Sequence, residues 1–338
     1  MFDSLAIVNP SFMEPELLTQ ISQRSGAFEA LPKADLRVRL ATNDLYVYIK
    51  TLQMRSSNES GQAAANQLSG PSFVTKLIST PTYLVRSRSE YDHHDTAAAG
   101  MWNVGLPDAY RRATWQTFAQ NARDALLYGF NPGNGEGLLN TSGLTSVNLP
   151  VDTSGNTTFR TYDNGQMALF ILQQIVATQI RMYQSAQGGN KIVVLGPQRI
   201  LSYMMKANIV QVVQYQRAGA GTAATGQVVA EQLRSVGDNV VWAYDDTLIG
   251  KGAGGTDAVL IIMPEIEEQD AFGGPNTNEF FKVTPSLSDC TVQYADMAAP
   301  REITVPVAGG VTDVLFERRI SPGWGVRPEA ITLINMAY

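Results

Sequence analysis

YGFNPGNGEGLLNTSG, residues 128–143, places five glycines and a proline directly after a segment with helical spacing. Two readings compete. In one, the stretch is a phosphate cradle, in which backbone amides and a helix N-terminus hold the anion. In the other it is a corner, where glycine takes backbone angles closed to other residues. A dinucleotide loop needs a strand before its glycines and a helix after them. Here the glycines follow a helix, and no G-K-[ST] completes a P-loop. Gly129 is placed to end the helix, Pro132 to stop its continuation, and Gly133, Gly135 and Gly137 to supply the angles of a tight reversal. Leu138 and Leu139 then anchor the turned chain in the core, and Asn140 completes the turn.

Upstream, PDAYRRATWQTFAQNARDALLYG reads as one long helix over 107–128. Pro107 suits its first turn and Gly129 its C′ position. Trp115, Phe118, Ala119, Ala122, Ala125 and Leu126 fall on one face, with Arg112, Gln116 and Arg123 on the other. At 1.5 Å per residue the helix runs roughly 33 Å, the length of a spine.

Before it, residues 1–35 carry scattered apolar positions without a pattern that closes a core, and read as an arm. From Leu36 to Asp92, LRVRL and LYVYIKTLQM alternate, a polar tract RSSNESGQAAANQLSG intervenes, and FVTKLISTPTYLVRSRSEYD resumes strand character. This predicts a long two-stranded ribbon with a polar tip. Such a ribbon is marginally stable alone, so another molecule is expected to cover it.

After Tyr162, helix and strand alternate through NGQMALFILQQIVATQIRMYQSAQ, KIVVL, PQRILSYMMK, NVVWAY and DAVLIIM, with Asp163 and Gln166 spaced as a capping box. From Phe280 onward, runs such as CTVQYAD, REITVPV, TDVLFERRI and AITLINM predict strands that return to sheets begun earlier. The whole reads as an α+β chain.

Its composition is that of an ordinary globular protein, 44% hydrophobic and 17% charged, with a formal net charge of -6. No basic stripe supports a dedicated nucleic-acid reader. The N-terminus lacks a signal-peptide pattern and no apolar run is long enough to span a membrane, so a soluble, unsecreted chain is expected. Eighteen arginines against seven lysines favour an assembling protein, because the planar guanidinium suits interface ion pairs.

Candidate chemistry is sparse. GKGAGG (250–255) runs into a strand rather than a helix, so it lacks the geometry of a phosphate loop. His93 and His94 are the only histidines; adjacent positions are poorly arranged for one metal, and Asp92 and Asp95 beside them read as caps. No G-x-S-x-G elbow accompanies them. Cys290, the lone cysteine, reads as core filling, and PEIEEQD (264–270) as a solvated loop. No catalytic group, cofactor or metal site is expected.

The order of arm, ribbon, spine helix, glycine corner, α/β domain and returning strands resembles the major capsid proteins of tailed bacteriophages, whose fold encapsulins share. The local match is GEGLLN, Gly135 to Asn140, similar to the G-x-G-L-L-N turn after the spine helix in that family; WGVRPEAITLI is similar to its closing strand. The resemblance implies corner roles for Gly135 and Gly137 and core anchoring for Leu138 and Leu139. It implies an N-terminal arm at 1–35, an extended loop with the strands leading into the peripheral domain at 36–92, the peripheral domain at 93–162, an axial domain at 163–285, and returning strands at 286–338. AGAGTAATG (218–226) becomes the candidate loop near a capsomer centre. Lys50 and Lys76 flank the ribbon tip, but no matching asparagine and glutamate support a cross-link.

The implied function is an icosahedral shell of pentamers and hexamers joined through arm and ribbon, enclosing double-stranded DNA by weak non-specific contact. Scaffolding, portal and decoration proteins are the further partners implied, with no membrane. An encapsulin-like compartment is the alternative within the same architecture. A soluble α/β enzyme binding a phosphorylated ligand through a glycine loop is the alternative from another class.

Overall fold

The computed structural model describes residues 25–32, 38–55, 72–101, 105–152, 155–162, 164–182, 191–206, 208–209, 223–224, 239–265, 290–307 and 310–338. Most of the expected arm, the ribbon tip, Asp163, and most of 264–270 and 218–226 lie outside these residues.

In chain order, β1 (Val38–Arg39) precedes β2 (Tyr46–Arg55) and β3 (Ser72–Pro81). These two pair antiparallel, from Tyr46 opposite Pro81 to Arg55 opposite Ser72. Thr82 alone separates β3 from β4 (Tyr83–Tyr91), which leads into α1 (His93–Met101) and α2 (Leu106–Leu127). Then come β5 (Thr145–Asn148), α3 (Asn164–Arg181), β6 (Lys191–Gly196), α4 (Gln198–Lys206), the paired β7 (Asn208–Ile209) and β8 (Ala223–Ala224), β9 (Asn239–Tyr244) and β10 (Asp257–Ile262). The chain closes with β11 (Val292–Gln293), β12 (Ala295–Asp296), β13 (Arg301–Val307), β14 (Val311–Ile320), β15 (Trp324–Gly325) and β16 (Ile331–Met336).

Two sheets organise these elements. The first has the order β5-β16-β10-β6-β9, with β10 antiparallel to both neighbours and the β6–β9 and β16–β5 pairs parallel. Every residue of β10 is buried, which explains why its sequence is an almost unbroken apolar run: both faces are covered. Val259 and Ile261 meet Ile171 and Ile175 of α3 and Ile200 and Leu201 of α4. Ala258, Leu260 and Ile262 meet Leu126 and Leu127 of α2 on the opposite face. Burial of each large side chain here contributes about 1.5–3 kcal/mol. In the second sheet β14 lies between β4 and β13, with β12 and β1 continuing beyond its C-terminal end.

Helix α2 joins the two. Phe118 packs with Val314 and Phe316 of the second sheet, and Ala122, Ala125, Leu126 and Leu127 pack under the first. The buried stripe is turned relative to the sequence expectation: Thr114 and Phe118 are buried, whereas Ala119 is exposed and Trp115 is 60% exposed. The N-terminal half of the helix rests on a three-stranded surface, which covers a narrower stripe than a full layer would.

Part of the expected arm belongs to the core. Ala27, Ala30 and Leu31 are buried between α2 and the first sheet, in a 3-10 turn whose i, i+3 positions share one side. Gly26 permits the approach: its amide donates to the Tyr244 carbonyl at 2.8 Å, and a Cβ there would stand 2.8 Å from the Tyr244 nitrogen. Two alanines leave too weak an apolar signature to announce this.

Candidate inter-subunit interface

The glycine corner opens where α2 ends. Tyr128 caps the helix, and Gly129, at φ 68°, donates to the Ala125 carbonyl in the left-handed C′ position. Pro132 begins a 3-10 turn through Asn134, and Gly133 stays outside the left-handed region expected for it. Gly135 and Gly137 take φ 74° and 89°. At Gly137 space is as decisive as angle, since a Cβ would lie 2.3 Å from the Tyr128 carbonyl carbon. The Gly137 amide donates to the Gly323 carbonyl, tying the corner to the C-terminal strands. Leu138 is fully buried, Leu139 packs against the same cluster, and Asn140 Nδ2 donates to the carbonyls of Tyr128 and Glu136 at 3.0 Å each.

The corner does cradle an anion, and the anion is its own. Glu136, 5% exposed, accepts the Phe130 and Asn131 amides on Oε2 at 3.2 and 2.8 Å and the Tyr83 hydroxyl on Oε1 at 2.8 Å. Burial, then the hydrogen bond and charge of Glu136, push the Tyr83 phenol up to about 12. The second glycine loop repeats the arrangement: the Gly250 amide donates to Asp257, which Arg199 grips through two nitrogens, and the Ala253 amide donates to Asn335 Oδ1. Amides that a phosphate would need are engaged in both loops.

The remaining sequence candidates are also placed. Asp92 and Asp95 exchange backbone-to-carboxylate bonds at the start of α1, and the Asp95 amide holds the Asp92 carboxyl below the ordinary carboxylate range. His93 and His94 sit exposed in that first turn, ring centroids 3.9 Å apart. Among the described residues no group of three or more His, Cys, Asp or Glu is arranged around a metal position. Cys290 is buried. A cleft lined by Tyr91, Tyr110, Arg111 and Glu302 has a volume of about 10 Å³, room for roughly one water.

What stands out on the surface is apolar. The β2–β3 ribbon pairs with no other strand among the described residues. Side chains alternate along it: Val47 is buried against Leu40, Ala295 and Trp324, while Tyr46 and Tyr48 point to the other face, 54% and 59% exposed. Leu77, two residues before Ser79, which pairs with Tyr48, shares that face and is 55% exposed. The ribbon is held at its root by Arg319 of β14, a residue that no motif announced, as none announced Glu136 or Tyr83.

No protein-family model matches the sequence, and no curated protein sequence does either. In three dimensions the chain superposes on the capsid of Myoviridae phage XM1 with a TM-score of 0.68 at 12% identity, covering 96% of both chains. This chain has the tailed-phage capsid fold. The capsid of the native GTA particle aligns with a TM-score of 0.58 at 12% identity, over 98% of this chain and 96% of that one. A chain of Mycobacterium phage Che8 gives 0.56 at 12% identity over 96% of each. In this chain the glycine corner lies where α2, the second sheet and the C-terminal strands converge: Gly129 donates to Ala125 of α2, Glu136 accepts from Tyr83 of β4, and Gly137 donates to Gly323.

Proposed function

We propose that the chain is the major capsid protein of a double-stranded DNA tailed phage, assembling as pentamers and hexamers into the icosahedral shell of the virion. The observation that carries this reading is the superposition on a chain of a phage capsid over 96% of both chains. In this assignment α2 and the β4–β14–β13 sheet form the peripheral domain, and the β5-β16-β10-β6-β9 sheet with α3 and α4 forms the axial domain. The ribbon is the described part that this reading sets against neighbouring copies. The acidic net charge keeps contact with packaged DNA weak and non-specific.

The exposed face of the ribbon supports the same reading. A two-stranded ribbon with Tyr46, Tyr48 and Leu77 in water is unfavourable in a solitary chain, and becomes favourable when a neighbour's surface removes those rings from solvent. Tyrosine is also enriched in interface cores, where its ring is buried and its hydroxyl finds a partner. The test is the triple variant Tyr46→Ser, Tyr48→Ser, Leu77→Ser, followed by light scattering and thermal melting. The expected result is a chain that keeps its melting transition and remains dispersed where the unsubstituted chain forms large assemblies. Assembly unchanged by the triple variant would remove the ribbon from the interface.

A further inference from the structure

Arg319 is 8% exposed, and its side chain reaches three acceptors on two separate stretches of chain. Nε donates to the Thr42 carbonyl at 2.6 Å, and Nη1 donates to the Asp44 carbonyl at 3.1 Å and to Thr82 Oγ1 at 2.9 Å. Thr42 and Asp44 precede β2, and Thr82 is the single residue between β3 and β4. Both strands of the ribbon are therefore gripped at the root by one guanidinium.

The root is closed on itself as well. The Thr82 amide donates to the Leu45 carbonyl at 3.0 Å, and its hydroxyl, while accepting from Arg319, donates in a short bond to the Asp44 carbonyl. On the backbone of Arg319, the amide meets Met297 Sδ and the carbonyl accepts the Met297 amide, each at 3.1 Å, which fixes β14 at that point. The neighbouring Arg318 points across the strand and forks onto the Asp296 carboxylate.

These two adjacent arginines differ in one respect. Arg318 faces a carboxylate, whereas the three acceptors of Arg319 are neutral. Burying a guanidinium against neutral acceptors is poor use of a charge if stability is the only gain. A planar fork with five donors is nevertheless the side chain able to bond several acceptors at fixed mutual angles, which a lysine ammonium on a flexible stem does not do.

We infer that Arg319 is a positioning residue that sets the angle of the ribbon to the β4–β14–β13 sheet, holding the Tyr46, Tyr48 and Leu77 face in one presentation before any neighbour arrives. Preorganisation of this kind lowers the ordering penalty of association. The inference deepens the assembly reading above, and its test is read within one chain.

Cysteines introduced at exposed Ser79 on the ribbon and Gln120 on α2 carry spin labels, Cys290 being buried and unlabelled, and labelled chain is mixed into a large excess of unlabelled chain. Dipolar spectroscopy then gives the intramolecular distance distribution. The unsubstituted background is expected to give one narrow distance. Arg319→Met, which keeps the stem, and Thr82→Val, which removes one acceptor, are each expected to widen it severalfold while near-ultraviolet circular dichroism stays native. Arg319→Lys is expected to behave like Arg319→Met. An unchanged narrow width in Thr82→Val would overturn the inference, even if Arg319→Met fails to fold; a narrow width in Arg319→Lys would overturn the role of the fork. Failure of the chain to form shells leaves the distance measurement intact, so the two readings fail separately.

Discussion

Glycine at 137 is required twice over, by its φ of 89° and because an added Cβ would stand 2.3 Å from the Tyr128 carbonyl carbon. Gly137→Ala is therefore expected to destabilise the chain by more than the ~1–3 kcal/mol of left-handed strain alone. Gly133→Ala is the contrast: its Cβ would meet only Asn131 Oδ1 at 3.7 Å, outside the left-handed region, so a gain of about 0.4–1 kcal/mol is expected. Urea denaturation of the two variants measures both. Alkaline pH addresses the carboxylate inside the corner. The Tyr83 phenol is at about 12 in the fold against 10.0 when free, as is Tyr128, so the folded chain holds these protons more tightly than the unfolded one. That contribution is complete below pH 10 and fades as pH rises through about 12. Urea midpoints should fall over this window, and less steeply in Tyr83→Phe. Gly129, Gly135 and Gly137 were legible in the sequence because glycine tolerates such angles best, whereas Gly133 does not take them. Glu136 was not, because its partners lie in backbone amides and in a strand 53 residues away, where no spacing rule reaches.

At the scale of elements, α2 was legible in length and in its ends, since Pro107 and Gly129 punctuate it and its apolar positions repeat at helical spacing. Its rotation was not legible. Both Trp115 and Thr114 are compatible with a stripe through Phe118, and only the shape of the second sheet decides that the threonine faces inward. Phe118→Ala should accordingly cost about 3–5 kcal/mol. Trp115→Ser should change stability by no more than about 0.5 kcal/mol. Thermal or chemical melting of the pair separates a core position from a surface one. The β2–β3 ribbon was legible from its alternation, and the weakness of isolated ribbons is what led to the expectation that another molecule covers it. Which of its faces is exposed required the burial of Val47 against Trp324, a contact between residues far apart in sequence. The 3-10 turn at Ala27–Ala30 shows the reverse case, where small residues fit a narrow core gap and leave no periodic trace.

For the whole molecule, element order carried the most information. The last strands return to pair with β4 and β10, so the beginning, middle and end of the chain are interlocked in two sheets joined by one helix. That layout was readable because each element has its own periodicity and boundary residues. The pairing partners were not, since strand sequences do not state which strands they meet. The glycine loops that first suggest a ligand are filled by Glu136 and Asp257, and the proposed function rests instead on surfaces such as the exposed Tyr46, Tyr48 and Leu77 of the ribbon. Electron microscopy of the purified chain, concentrated with and without a scaffolding partner, shows whether it assembles into a shell. Closed shells or rings of five and six subunits, with the ribbon of each subunit lying on its neighbour, are the predicted result. A homogeneous monomer at high concentration under both conditions would contradict it.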